Sequence, residues 1–124
     1  MSVSEGLVDL LKDQLASLAP VTARRMFSGA GIFANGLMFA LVVDDTLYLK
    51  TDEVNRPTFE AEGLAPFSFM KQGRRIDTSY LCAPERLLDD ADELLEWSRR
   101  ALKAAGRAAT RKPAGKTRQR RTPS

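Results

Sequence analysis

The sequence predicts an α+β fold in two layers, an antiparallel sheet with helices mainly on one face. Three observations carry this expectation. Segments of helical period stand near both ends of the chain, strand-like runs fill the middle, and the reversals between neighbouring strands are tight two-residue turns. At 124 residues the chain has room for a single core. We read residues 1–106 as one domain and residues 107–124 as a basic, disordered tail. The expected order is α-β-β-β-α-β-β-α, with a further strand-like segment between the first helix and the first hairpin.

The first helix is marked by Ser2-Val-Ser-Glu5, a capping-box pattern, and by Leu7, Leu11, Leu15 and Leu18, which fall on one helical face until Pro20. Val21 to Phe27 reads as a short extended segment. Asn35-Gly36 is the preferred pair for a type I′ turn and lies between Ile32-Phe33 and the fully apolar run Leu37 to Val43. That run reads as a central strand covered on both faces. Asp44-Asp45 makes the next reversal, and Thr46 to Thr51 alternates with Leu47 and Leu49 on one side, completing a three-strand meander. Asn55-Arg-Pro57 resembles a capped helix start, with Phe59 facing inward and Gly63 closing the end. Phe67 to Lys71 and Arg75 to Leu81 form a second hairpin around Gln72-Gly73. Asp90-Ala-Asp-Glu93 caps the last helix, whose apolar stripe is Leu94, Leu95, Ala101 and Leu102 with Trp97 at its edge, and which fades near Gly106.

Composition narrows the chemistry. The chain has no histidine, so the usual general base, nucleophile partner and metal ligand are missing. A single cysteine, Cys82, allows neither an intrachain disulfide nor a thiolate cluster. The carboxylate pairs Asp44-Asp45, Asp52-Glu53 and Asp89-Asp90 stand at turns and helix starts, where such pairs are solvated. We expect no catalytic residue, no metal and no cofactor. No run approaches the roughly 18–20 apolar residues of a membrane helix. Glu5, Asp9, Lys12 and Asp13 interrupt the place where a signal peptide needs an apolar core. The expectation is a cytoplasmic protein without a membrane partner.

Gly29-Ala-Gly31-Ile-Phe-Ala34 has the G-x-G-x-x-A form of a dinucleotide-binding loop. That loop must open a helix whose N-terminus faces the pyrophosphate. Asn35-Gly36 instead turns the chain into a hairpin, so Ser28 to Gly31 reads as a bulge, a tight bend or a close approach of backbone to a packed neighbour.

Charge is unevenly placed. Residues 1–102 hold 11 basic and 16 acidic side chains, a net −5, while residues 103–124 hold 8 basic and no acidic ones. In the tail, Arg111, Lys112, Lys116, Arg118, Arg120 and Arg121 are candidates for sequence-independent contact with nucleic-acid phosphates. In the body, Arg24, Arg25, Arg74 and Arg75 are candidates for an anion- or partner-binding surface if the sheet brings them together. Asp77-Thr-Ser-Tyr80 reads as a hydrogen-bond network across the sheet. The doubly apolar strand Leu37 to Val43 suggests that a second subunit covers part of the sheet, so a homodimer is a further expectation.

Arg24-Arg-Met-Phe-Ser-Gly-Ala-Gly-Ile-Phe33, Asn35-Gly-Leu-Met-Phe-Ala-Leu-Val42 and Leu47-Tyr-Leu-Lys50 together resemble the opening of the TfoX N-terminal domain family, the regulators of competence-specific genes. Asn55-Arg-Pro-Thr-Phe59, Tyr80-Leu-Cys-Ala-Pro84 and Leu94-Leu-Glu-Trp97 follow in the family's order. The resemblance spans about residues 5–104. It implies a secretion-chaperone-like α+β fold and a bacterial regulatory role, exerted with other proteins rather than by catalysis. With the helical second domain of the full-length regulators replaced by a basic tail, a stand-alone N-terminal domain is expected. No catalytic residues carry over.

Overall fold

Three two-residue turns shape the sheet, and all three place both central residues at left-handed φ. They are Asn35 and Gly36 (54° and 76°), Asp44 and Asp45 (52° and 63°), and Gln72 and Gly73 (53° and 76°). This backbone follows the right-handed twist of the paired strands, and Asn, Asp and Gly enter it at the least steric cost. The computed structural model describes residues 3–26 and 29–116, with side chains for residues 5–26 and 29–110. Its elements are α1 (Val3–Gln14), β1 (Val21–Met26), β2 (Gly29–Ala34), β3 (Leu37–Val43), β4 (Thr46–Lys50), α2 (Arg56–Glu60), β5 (Pro66–Lys71), β6 (Arg74–Cys82), a 3₁₀ turn (Glu85–Asp89) and α3 (Ala91–Lys116). The six strands form one sheet in the order β1-β2-β3-β4-β6-β5, and every pair is antiparallel.

Strand register divides the apolar residues between two faces. Ile32 pairs with Ala40, Ala40 with Leu49, Val42 with Leu47, and Leu49 with Leu81. Residues opposite one another share a face, and these join Leu7 and Leu11 of α1, Leu15 just past its end, Phe59 of α2, Leu87, and Leu94, Trp97, Ala101 and Ala105 of α3 in one buried cluster. The helices therefore lie on one face of the sheet. Register slips between Ile32 and Phe33, where Phe39 is the extra residue of a bulge that turns its ring into the same core. Burying a side chain of the size of Phe39 or Leu49 contributes about 1.5–3 kcal/mol.

Several expectations are refined here. The extended segment after α1 is a full strand, β1, so the meander has four strands rather than three. The G-x-G-x-x-A hexapeptide is strand β2 itself. A Cβ on Gly29 would overlap the Val42 carbonyl, and one on Gly31 would lie 2.7 Å from Met38 Sδ and 2.8 Å from Met26 Sδ. Of the readings open for these glycines, the close backbone approach is the one observed.

Asn55 does not cap α2 through its side chain. Its Oδ1 accepts from the Asp52 N–H at 2.8 Å and its Nδ2 donates to the Lys50 carbonyl at 3.0 Å, while Asp52 Oδ1 takes the Val54 N–H at 3.0 Å. The buried amide thus fastens the end of β4 to the start of α2. Gly63 ends that helix at φ 67°, the left-handed closure expected of it.

Asp90 caps α3 as expected, accepting the Glu93 N–H at 3.1 Å, but the Glu93 carboxylate goes to Arg86 instead of back to the cap. The buried face of α3 runs through Leu94, Trp97, Ser98, Ala101, Ala104 and Ala105. Trp97 is thus central rather than marginal, with Phe59 edge-on at 4.9 Å. The helix does not fade near Gly106 but continues to Lys116. A run rich in alanine sustains helix where a polar tail was expected, Ala being the best helix former. Ser2, of the first capping box, lies outside the described residues.

Candidate interaction surface

The face of the sheet turned away from the helices is an apolar surface that no described helix covers. Alternation along the strands puts Met26, Gly31, Phe33, Met38, Leu41, Tyr48, Phe67, Phe69, Ile76 and Tyr80 on it. The contacts agree with this assignment. Tyr48 meets Phe67 edge-on at 5.3 Å, Phe67 stacks on Phe69 at 6.5 Å, and the sulfurs of Met26 and Met38 fill the space that Gly31 leaves vacant. Leu41 is 4 % exposed although no described helix lies over it. At the β5–β6 end the surface opens, with Phe69 43 % and Ile76 38 % exposed.

Tyr80 anchors the middle of this face. It pairs with Lys50, and its phenol donates to the Met38 carbonyl at 2.8 Å, so the ring crosses β4 to reach β3. Burial pushes its pKa up to about 12. Lys50 Nζ stands 5.3 Å from the centre of that ring and donates to Ser79 Oγ at 2.6 Å. Arg24 lies over Phe33 in the same way, at 5.7 Å.

The four arginines singled out in the sequence are not brought into one cluster. Arg24 and Arg25 sit on β1, and Arg74 and Arg75 on β6, four strand spacings or about 19 Å across the sheet. Neighbours along a strand point to opposite faces. Arg24 and Arg74 therefore belong to the open face, whereas Arg25 turns toward α1, 3.6 Å from Glu5, and Arg75 pairs with Asp77 at 3.0 Å. Ser68 Oγ also donates to Asp77 at 2.6 Å and Thr78 Oγ1 to the Phe67 carbonyl at 2.9 Å, which is the network expected of the Asp77 to Tyr80 segment. Arg111, Lys112 and Lys116 fall on the last turns of α3, but their side chains, and all of Arg118, Arg120 and Arg121, lie outside the described residues.

Two arginines that the sequence did not single out hold structure. Arg86 is clamped between Glu62 and Glu93, with several bonds of 2.8–3.2 Å, and these carboxylates raise its pKa while theirs fall. Arg107, assigned to the tail by composition, makes a two-pronged pair with Asp52. Neither was legible, because each partner is distant in sequence and carries no motif.

A separate cleft of about 400 Å³ lies at the other end of β6, lined by Cys82, Leu47, Leu88, Asp45, Glu85 and Asp89 among others. Burial, and then the Glu85 charge, push the Cys82 thiol up, away from the thiolate that nucleophilic chemistry needs. Among the described residues, no helix is long and apolar enough to cross a membrane.

Among curated proteins, none matches the chain. Residues 13–105, from the end of α1 through most of the packed part of α3, match the TfoX N-terminal domain, a span that takes in every strand of the sheet, and on that match the chain belongs to the TfoX N-terminal domain family.

Proposed function

We propose that this chain is a non-enzymatic, cytoplasmic regulatory module that acts by binding another protein through the open face of its sheet. The observation that supports the reading is the apolar strip from Phe33 through Tyr48 and Phe67 to Phe69 and Ile76, left uncovered because all the described helices pack on the opposite side. Surfaces enriched in aromatic residues, Met and Arg are those that protein interfaces use at their centres. The chemistry elsewhere favours no reaction. Histidine is absent, the lone thiol is held protonated, and the shifted carboxylates are engaged by Arg86, Arg107, Arg75 and, for Glu96, Arg99 and Arg100. Family membership favours a regulatory setting.

The test is site-specific photo-crosslinking in the cells that make the protein. A photoreactive residue in place of Ile76, on the open face, should give a discrete protein adduct, and the same residue in place of Lys103, on the outer side of α3, should not. Equal labelling from both positions, or none from Ile76, would remove the reading.

A further inference from the structure

The strands of the open face carry basic side chains against the sign of residues 1–102, and the acidic charge at its edge is Asp44 of the β3–β4 turn, which, after burial and Cys82, helps to raise the Tyr48 pKa. Residues 1–102 have 16 acidic side chains and a net −5. Yet the six strands contain one carboxylate, Asp77, and register with Ser68 and Arg75 places it on the opposite side. The open side carries Arg24 on β1, Lys50 on β4, and Lys71 and Arg74, a directly paired couple, at the tip of the β5–β6 hairpin. Among the described residues no carboxylate comes within ion-pair reach of Arg24, Lys71 or Arg74. The cations alternate with apolar surface: Lys71 and Arg74 adjoin Phe69 and Ile76, Lys50 adjoins Tyr80, and Arg24 adjoins Phe33.

We infer that the open face receives a short acidic segment of a partner protein, whose apolar side chains cover Phe67, Phe69 and Ile76 and whose carboxylates meet Lys71, Arg74 and Arg24. This rests on the protein-binding reading above and adds the chemistry of the partner. One feature favours a peptide over a nucleic-acid strand. Base stacking needs free ring faces, whereas Arg24 and Lys50 already lie over Phe33 and Tyr80, and the Tyr80 hydroxyl is tied to Met38. β1 and β5 stand five strand spacings apart, about 24 Å, a span that a helix of about 16 residues covers.

The probe is a fluorescein-labelled peptide of about that length with Glu and Leu in amphipathic spacing, titrated into the full chain by fluorescence anisotropy. We expect saturable binding that weakens about tenfold between roughly 50 and 300 mM salt. The double reversal K71E/R74E, at exposed strand ends flanking the Gln72-Gly73 turn, should weaken it about tenfold or more, while K12E/K103E on the helix side leaves it unchanged. Thermal unfolding of both variants checks that the fold persists. Equal affinity for the peptide with Gln in place of Glu, or binding untouched by K71E/R74E, overturns the inference. Tighter binding of oligodeoxythymidylate to the same face overturns it in favour of nucleic acid. A dimer by light scattering that K71E/R74E dissociates overturns it in favour of a second copy of the chain. If Ile76 crosslinks to a protein in cells but the acidic peptide fails, only the acidic chemistry is removed; loss of both removes the protein-binding reading.

Discussion

Arg107 grips Asp52 with two hydrogen bonds, Nε to Oδ2 at 2.6 Å and Nη2 to Oδ1 at 3.0 Å, and so ties the middle of α3 to the strand-to-helix junction after β4. The Asp52 side chain is 8 % exposed, and this pair, helped by the backbone N–H groups of Val54 and Asn55, holds its pKa near 2 against an ordinary 3.8. A carboxyl whose folded pKa is depressed stabilises the fold above its unfolded pKa and loses that contribution as pH falls through the folded one. We predict that Arg107→Ala costs about 1–2 kcal/mol at neutral pH, after discounting for the partly exposed guanidinium. The difference from the parent should shrink between about pH 4 and pH 2. Urea titrations across that window check it.

Tyr80 gives the opposite sign. Its pKa, raised to about 12 by burial, means that the fold favours the neutral phenol. That contribution is complete below the unfolded value near 10 and disappears as pH rises through about 12. Absorbance of tyrosinate should show a late phase near pH 12 that Tyr80→Phe removes. Losing the hydroxyl should also cost about 1 kcal/mol, because the Met38 carbonyl loses its donor.

Gly29 and Gly31 differ in what surrounds their missing side chains. Gly29→Ala drives a methyl into the backbone carbonyl of Val42, which cannot retreat without breaking sheet register, so we predict a loss of about 3 kcal/mol. Gly31→Ala meets two flexible thioethers instead, at 2.7 and 2.8 Å, and should cost about 1 kcal/mol. Denaturation midpoints of the two variants rank them.

Ser98 is fully buried, and its Oγ has no hydrogen-bond partner among the described residues. Removing a buried hydroxyl that makes no bond recovers its desolvation cost, so Ser98→Ala should be neutral or stabilise by about 1 kcal/mol. A fall in the thermal midpoint would refute this.

The sheet was legible where local chemistry decides conformation. Asn35-Gly36 and Gln72-Gly73 announce turns because few residues tolerate left-handed φ, and Leu7, Leu11 and Leu15 announce a helix face through their period. What escaped the sequence depends on partners far along the chain. Asn55 looks like a helix cap until Lys50 and Asp52 claim its amide. Arg107 looks like part of a basic tail until Asp52 is found across from it. Arg24 and Arg25 look like one basic pair, yet the pleat sends them to opposite faces, so half of each expected arginine pair belongs to the open surface and half does not. The interleaving of cations and apolar side chains on that surface follows from strand order, which adjacent residues do not encode.

The junction between β4 and β6 is the narrowest ladder in the sheet, with three opposed pairs, Tyr48 with Cys82, Leu49 with Leu81 and Lys50 with Tyr80. Among the described residues it is also the only strand pairing that joins segments with another strand between them in the chain. The sheet is in this sense two plates sewn along one short seam: a four-strand plate folded from neighbours, and a two-strand ribbon that carries Phe69 and Ile76. Tyr80 is the stitch that reaches furthest across, and Thr51 and Lys50 tie to Ser79 beside it. A molecule that lies over both plates therefore does more than cover apolar surface; it splints the seam, coupling occupancy of the open face to the rigidity of the whole domain.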